Sequence, residues 1–188
     1  RFYDSNTRGT LAGNGGTYTG TLTVPTPGML PGDYRVIVRS NLLRSIPESN
    51  RSDNSQVSTA AARFDLPILQ DAVSSSRPVN YRDALYYQIN VPETARGGSV
   101  ILRFGTNNTS VPNELYAKKD TLPTRAVYDQ RSQQGLASNQ HIILSNVQPG
   151  TYYVLAATAP DSARTDALGT ATIHMEILVP GRFIVLDT

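Results

Sequence analysis

The chain has no cysteine and no tryptophan among its 188 residues. Without thiols there is no disulfide framework, no thiolate metal centre and no cysteine nucleophile. Such a chain suits the cytosol, and equally a bacterial secreted protein that draws its stability from β-sandwiches rather than cross-links. Charge of one sign is also missing. The 17 Lys and Arg stand against 15 Asp and Glu, for a net charge of +2. No run of five or more like charges occurs, which argues against a nucleic-acid arm or a membrane-surface patch. No apolar stretch approaches the roughly 18 residues that span a bilayer. The first residue is Arg1 and no signal-peptide pattern follows it, so the expectation is a piece processed or cut from a longer polypeptide.

Helical periodicity is the last absence. No 11-residue window carries an apolar stripe at 3.6-residue spacing, whereas period-2 alternation recurs throughout. Tyr34, Val36 and Val38 alternate with Asp33, Arg35 and Arg39, and Leu85, Tyr87, Ile89 and Val91 alternate with Tyr86, Gln88 and Asn90. Such segments read as half-buried strands. Further strands are expected over 18–24, 99–104, 114–118, 125–128, 141–145, 151–157 and 170–178, punctuated by "GNGG", "PTPG", "RGG" and "QPG". Short strands at this spacing predict an all-β protein of antiparallel sandwiches.

Two domains of about 100 residues each would suffice to close two cores. An internal echo supports two. "LPGDYRVIV" (30–38) and "QPGTYYVLA" (148–156) share Pro-Gly-x-Tyr-x-Val, in which glycine turns the chain into a strand and the tyrosine hydroxyl reaches back to the loop, as in a tyrosine corner. One corner per domain places "ARFDLPILQDAVSSSRP" (62–78) between them, as a final strand followed by a Ser-rich connector, with the boundary near Leu69.

The residues at 30–56, "LPGDYRVIVRSNLLRSIPESNRSDNSQ", resemble the C-terminal half of a CARDB domain, the cell-adhesion-related module of bacterial surface proteins. Glu48, Ser49 and Asn50 match its Glu-Ser/Thr-Asn turn, and Asp53-Asn54 stands where the family has Asn-Asn. "RFYDSN" (1–6) resembles the strand end in mid-domain, which implies that 1–68 is an incomplete Ig-type sandwich. Residues 70–180 resemble the bacterial pre-peptidase C-terminal (PPC) domain, through "ALYYQINVP" (84–92), "GSVILRF" (98–104), "NELYAKKDTLPT" (113–124), "VYD" (127–129) and "VQPGTYYVLA" (147–156). Asn113-Glu114 replaces the Asp that usually precedes Leu-Tyr there, and "VPGRFIVLDT" (179–188) looks like a lead into a further module.

Together the resemblances imply two consecutive antiparallel β-sandwich domains, Ig-like or jelly-roll-like, at 1–68 and 69–188. They imply a non-catalytic structural or adhesion module of a large secreted or cell-surface bacterial protein, whose partners are adjacent domains of the same chain. The rival reading is an accessory domain of a secreted peptidase that binds an extracellular polysaccharide or matrix protein with the assistance of calcium.

Few residues suggest chemistry. "ESNRSDNSQ" (48–56) offers Glu48, Asn50 and Asp53 as weak cation ligands, yet it lacks the glycine and closing glutamate of an EF-hand loop. Asx turns explain it more simply. His141 and His174 alternate with apolar residues, so both are expected at the surface, with His174 and Glu176 on one face. No G-x-S-x-G occurs and the serines crowd into connectors, which leaves no triad. Tyr86 and Tyr116 should face away from their core-facing neighbours, either to stack on sugar rings or to pack under a second shielded layer.

Overall fold

The computed structural model describes residues 21, 28–40, 43, 47, 49–81, 83–135, 137–158 and 167–181. From residue 74 onward eight strands form two four-stranded antiparallel sheets. One sheet is ordered β10-β7-β12-β5, from β5 (Ser74–Asn80), β7 (Ser99–Thr106), β10 (Asn139–Ser145) and β12 (Ala167–Leu178). The other is ordered β6-β11-β8-β9, from β6 (Ala84–Val91), β8 (Asn113–Lys119), β9 (Gln130–Arg131) and β11 (Gly150–Thr158).

Alternation builds the core. Leu85, Tyr87, Ile89 and Val91 of β6 are buried and meet Val100, Leu102 and Phe104 of β7 and Ile173 and Met175 of β12 in one continuous cluster. Each of these aliphatic side chains contributes about 1.5–3 kcal/mol by leaving water, so the inner faces dominate the stability of this body. In β11 alternation gives way to continuous burial from Tyr152 to Thr158. This strand is central in its sheet, and its outward residues Leu155 and Ala157 lie under Tyr116 instead of water.

Three expectations are corrected. The Ser-rich stretch is a strand, not a connector: β5 pairs with β12 from Ser74↔His174 to Asn80↔Ala167, and only Val79 is buried. Its polar residues fit because β5 is an edge strand, which also tolerates Pro78 without an amide hydrogen. Residues 125–128 are a closed turn, with Thr124 Oγ1 accepting from the amides of Ala126 and Val127 and the strand displaced to Gln130–Arg131. Residues 33–39 are two strands, β1 (Gly32–Tyr34) and β2 (Ile37–Arg39). β1 pairs with β4 (Ala62–Phe64) and β2 with β3 (Ser55–Val57), as two-stranded ribbons. Val36, Ile37 and Val38 stay exposed because no second sheet packs on them among the described residues. The strand expected at 18–24 lies outside the described residues.

Both copies of the tyrosine echo bond to the residue four positions earlier. The Tyr34 hydroxyl donates to the Leu30 carbonyl at 2.7 Å, and the Tyr152 hydroxyl accepts from the Gln148 amide at 3.0 Å. Gly150 makes the second approach at φ +129°, a conformation other residues resist. The Tyr152 ring is buried, whereas Tyr34 is exposed.

The path between these parts is held down. Residues 66–69 run beside the edge strand β6, where the Gln88 amide donates to the Pro67 carbonyl and the Leu69 amide donates to the Gln88 carbonyl, both at 2.9 Å. Ile68 and Gln88 form a parallel bridge, and Leu66 and Leu69 are buried.

Tyr152→Phe should cost about 1–2 kcal/mol by orphaning the Gln148 amide, while Tyr34→Phe at its exposed site should cost under about 0.5 kcal/mol. Urea unfolding of both variants measures the difference; equal costs would refute the burial argument.

Candidate functional site

The register of the β10-β7-β12-β5 sheet aligns one outward residue from every strand. His141 lies opposite Arg103, Arg103 opposite His174, and His174 opposite Ser74. The neighbouring outward row is Asn139, Gly105, Thr172 and Ser76. Because successive side chains on a strand point to opposite faces, the residues between these rows, such as Phe104 and Ile173, enter the core.

The row is connected. Ser74 Oγ lies 3.0 Å from His174 Nδ1, and His174 Nε2 lies 3.5 Å from Glu176 Oε1. Arg103 Nη1 donates to Glu176 Oε2 at 2.9 Å. Ser76 and Thr172 hydroxyls meet at 2.8 Å one row away. The Arg103 hydrogen bond holds the Glu176 carboxyl below the usual carboxylate range, with a smaller contribution from His174. His174 and Glu176 therefore share a face as the alternation predicts. The expectation that serines sit only in connectors is corrected, since pairing of β5 with β12 brings Ser74 to the ring.

Hydroxyl, imidazole and carboxylate thus meet, but in the order of a surface ladder. The carboxylate is committed to Arg103, and the main-chain amides at this row belong to sheet ladders rather than converging on an oxyanion position. Beside the ladder lies an open groove of about 730 Å³, lined by Arg103, Gly105, Asn107, Gln134, His141 and His174 among others.

The aromatic candidates occupy the outer face of the other sheet. Tyr116 is only 6% exposed and packs against Tyr128 with ring centroids 5.3 Å apart, while Arg131 stands 5.8 Å over the Tyr128 ring. Tyr86 is half-buried, and a Cβ on Gly28 would stand 2.5 Å from its ring. Burial pushes both phenols above their ordinary range. Tyr116 is thus buried in a shielded layer, while Tyr86 remains partly exposed and lines a groove with Asp65, Leu66 and Arg77.

In the 48–56 loop, the Asn50 side-chain oxygen accepts from the Ser52 amide at 3.0 Å and from the Ser52 hydroxyl at 2.7 Å, an Asx turn. Asp53 stands in the same loop, and Glu48 lies outside the described residues. Among the described residues no three His, Asp or Glu side chains gather where they would hold a metal ion. Asn113 donates to the Thr106 hydroxyl at 3.2 Å and to the Ser138 carbonyl. An aspartate there would set a carboxylate against that carbonyl, which accounts for the amide at this position.

Fold and face together define an antiparallel β-sandwich with polar ladders on its outer surface. No protein-family model matches the chain, and no curated protein matches it. Several solved structures are similar in part, among them the following two. PliG of Aeromonas hydrophila, a periplasmic inhibitor of g-type lysozyme, is 12% identical with a TM-score of 0.43, covering 59% of this chain and 96% of its own. CorA of Methylomicrobium album BG8, a surface-associated copper-binding protein, is 8% identical with a TM-score of 0.41, covering 61% of this chain and 98% of its own. At these values the likeness carries no argument about function.

Glu176→Gln should destabilise the protein by less than about 1 kcal/mol at neutral pH, since the pair lies at the surface. A depressed carboxyl pKa gives stability that is present above the unfolded value and lost as pH falls through the folded one. Wild type and variant should therefore converge in acid, as measured by urea midpoints across pH; a gap that persists below the carboxylate range contradicts the assignment.

Proposed function

We propose that this chain is a non-catalytic segment of a larger secreted or cell-surface polypeptide, a CARDB-like tail followed by a PPC-like sandwich, whose work is to hold neighbouring parts at a set angle. The observation that carries this reading is the pinned connector. A flexible tether would leave residues 65–69 in water with their amides solvated. Here they add to the edge of β6 and insert Leu66 and Leu69 beside the sandwich. Covering an exposed strand edge also removes a site for unwanted pairing with other chains.

The Ser74–His174–Glu176 ladder supports the non-catalytic part of the reading. A nucleophilic serine needs a base oriented by a third group and donors placed for the developing oxyanion. In this ladder the serine meets Nδ1 and the acid is neutralised by Arg103. A serine-reactive fluorophosphonate should leave Ser74 unlabelled, and labelling there would overturn the assignment.

The cysteine-free background makes the spacing role directly measurable. Single spin labels at Ser55→Cys and Ser145→Cys, both exposed positions, should give one narrow distance distribution. Leu66→Ser should broaden it. A broad distribution in the otherwise unchanged protein would sink the proposal. Leu69→Ala, which empties part of the core, should cost about 2–5 kcal/mol in urea unfolding.

A further inference from the structure

We propose that two copies of this chain form a two-fold dimer by pairing the free edges of their β10 strands, which joins their β10-β7-β12-β5 sheets into one continuous sheet. This goes beyond the spacing role and stands without it.

A strand at a sheet edge turns a row of amides and carbonyls outward and offers them to another chain. Among the described residues the sandwich blunts or covers three of its edges. β5 carries Pro78, which has no amide hydrogen; β6 is covered by residues 66–69; β9 is only two residues long and ends on Arg131. β10 is seven residues long and pairs with β7 on one side only.

The phase of the ladder shows which groups are free. The Asn107 amide donates to the Thr170 carbonyl at 3.0 Å, so the odd-numbered residues of β7 bond to β12, and Val100, Leu102 and Phe104 bond to β10. Their partners on β10 are Leu144, Ile142 and Gln140, which leaves the amides and carbonyls of His141, Ile143 and Ser145 directed at the open edge. The first part of that edge is capped. Gln134 Oε1 accepts from the His141 amide at 3.1 Å, and the carbonyls of Gln134 and Ala137 accept from Gln140 Nε2 at 2.8 and 2.7 Å. The amides of Ile143 and Ser145 have no such acceptor among the described residues, and Ile143 is 49% exposed.

These groups complement a second copy of themselves. An antiparallel pair centred on Leu144 sets Ile143 of each copy opposite Ser145 of the other, so every free amide meets a free carbonyl and the His141–Gln134 bond is left intact. Charge decides between a second copy and a foreign strand. No Asp, Glu, Lys or Arg occurs from Ser132 to Thr158, so a charged strand finds no counter-charge along this edge, whereas two copies meet without repulsion. Beside the edge lies an open groove of about 420 Å³, lined by Lys119, Asp129, Ile143, Leu144 and Tyr152, whose rim presents both signs of charge.

The test is sedimentation equilibrium of the whole chain over a concentration series, with hydrogen exchange of its amides. So short a contact falls in the weak class of interfaces, below about 1,200 Å², so the chain should be monomeric at about 10 μM and largely dimeric by about 1 mM. The amides of Ile143 and Ser145 should exchange several-fold more slowly in the concentrated sample, while that of His141, already bonded to Gln134, should not change. Ile143→Lys, which sets a charge on the exposed edge, should abolish the dimer without moving the melting temperature. Val38→Lys, in the other exposed apolar segment, should leave the dimer intact. A chain that stays monomeric throughout, a dimer that survives Ile143→Lys or is lost in Val38→Lys, or exchange at Ile143 and Ser145 that ignores concentration would each overturn the proposal.

Discussion

Alternate side chains from two sheets fill one interior, and that contact decides what the remaining residues from 74 to 178 can do. Once Tyr87, Ile89, Leu102, Ile173 and Met175 commit to the inner faces, their neighbours are committed to the outside. A slip of one residue in any pairing would expose the whole apolar set, so the register is held by burial as well as by hydrogen bonds. The tyrosine at the entrance to β11 adds a local lock, since Tyr152 enters the core and its hydroxyl still satisfies the Gln148 amide.

The two outer faces follow different physics. Over the β6-β11-β8-β9 sheet, Tyr86, Tyr116 and Tyr128 close a second small apolar layer, which is why β11 is buried on both sides. Over the β10-β7-β12-β5 sheet no aromatic layer forms among the described residues. Hydroxyls, imidazoles and an ion pair meet across strands instead, and the Asn139 amide occupies the space that the absent Gly105 side chain leaves. Cross-strand pairs of this kind contribute roughly 0.2–1 kcal/mol each, far less than the core, so this face can change at little cost to folding.

Residues 28–64 lack a comparable interior among the described residues. Their ribbons expose Val36, Ile37 and Val38, and the Tyr34 corner keeps its hydrogen bond without a buried ring. The sequence motif thus carries the local bond in both places, but the burial that makes the bond matter for stability occurs in only one. Order reaches this part through the connector along β6 and through Gly28 against Tyr86.

Period-2 alternation was enough to read the all-β class, the inward set of β6 and the shared face of His174 and Glu176, because a strand's geometry assigns faces without reference to any partner. Asn50 turned back on its own backbone as its residue type suggests, for the same reason: the interaction is local. Pairing partners are not local. That Ser74 would meet His174 across 100 residues, that a serine-rich stretch would serve as an edge strand, and that Thr124 would close a turn where a strand was expected depended on which backbones came to lie side by side. Alternation tells a residue which way to point, and only the assembled sheets determine what it points at.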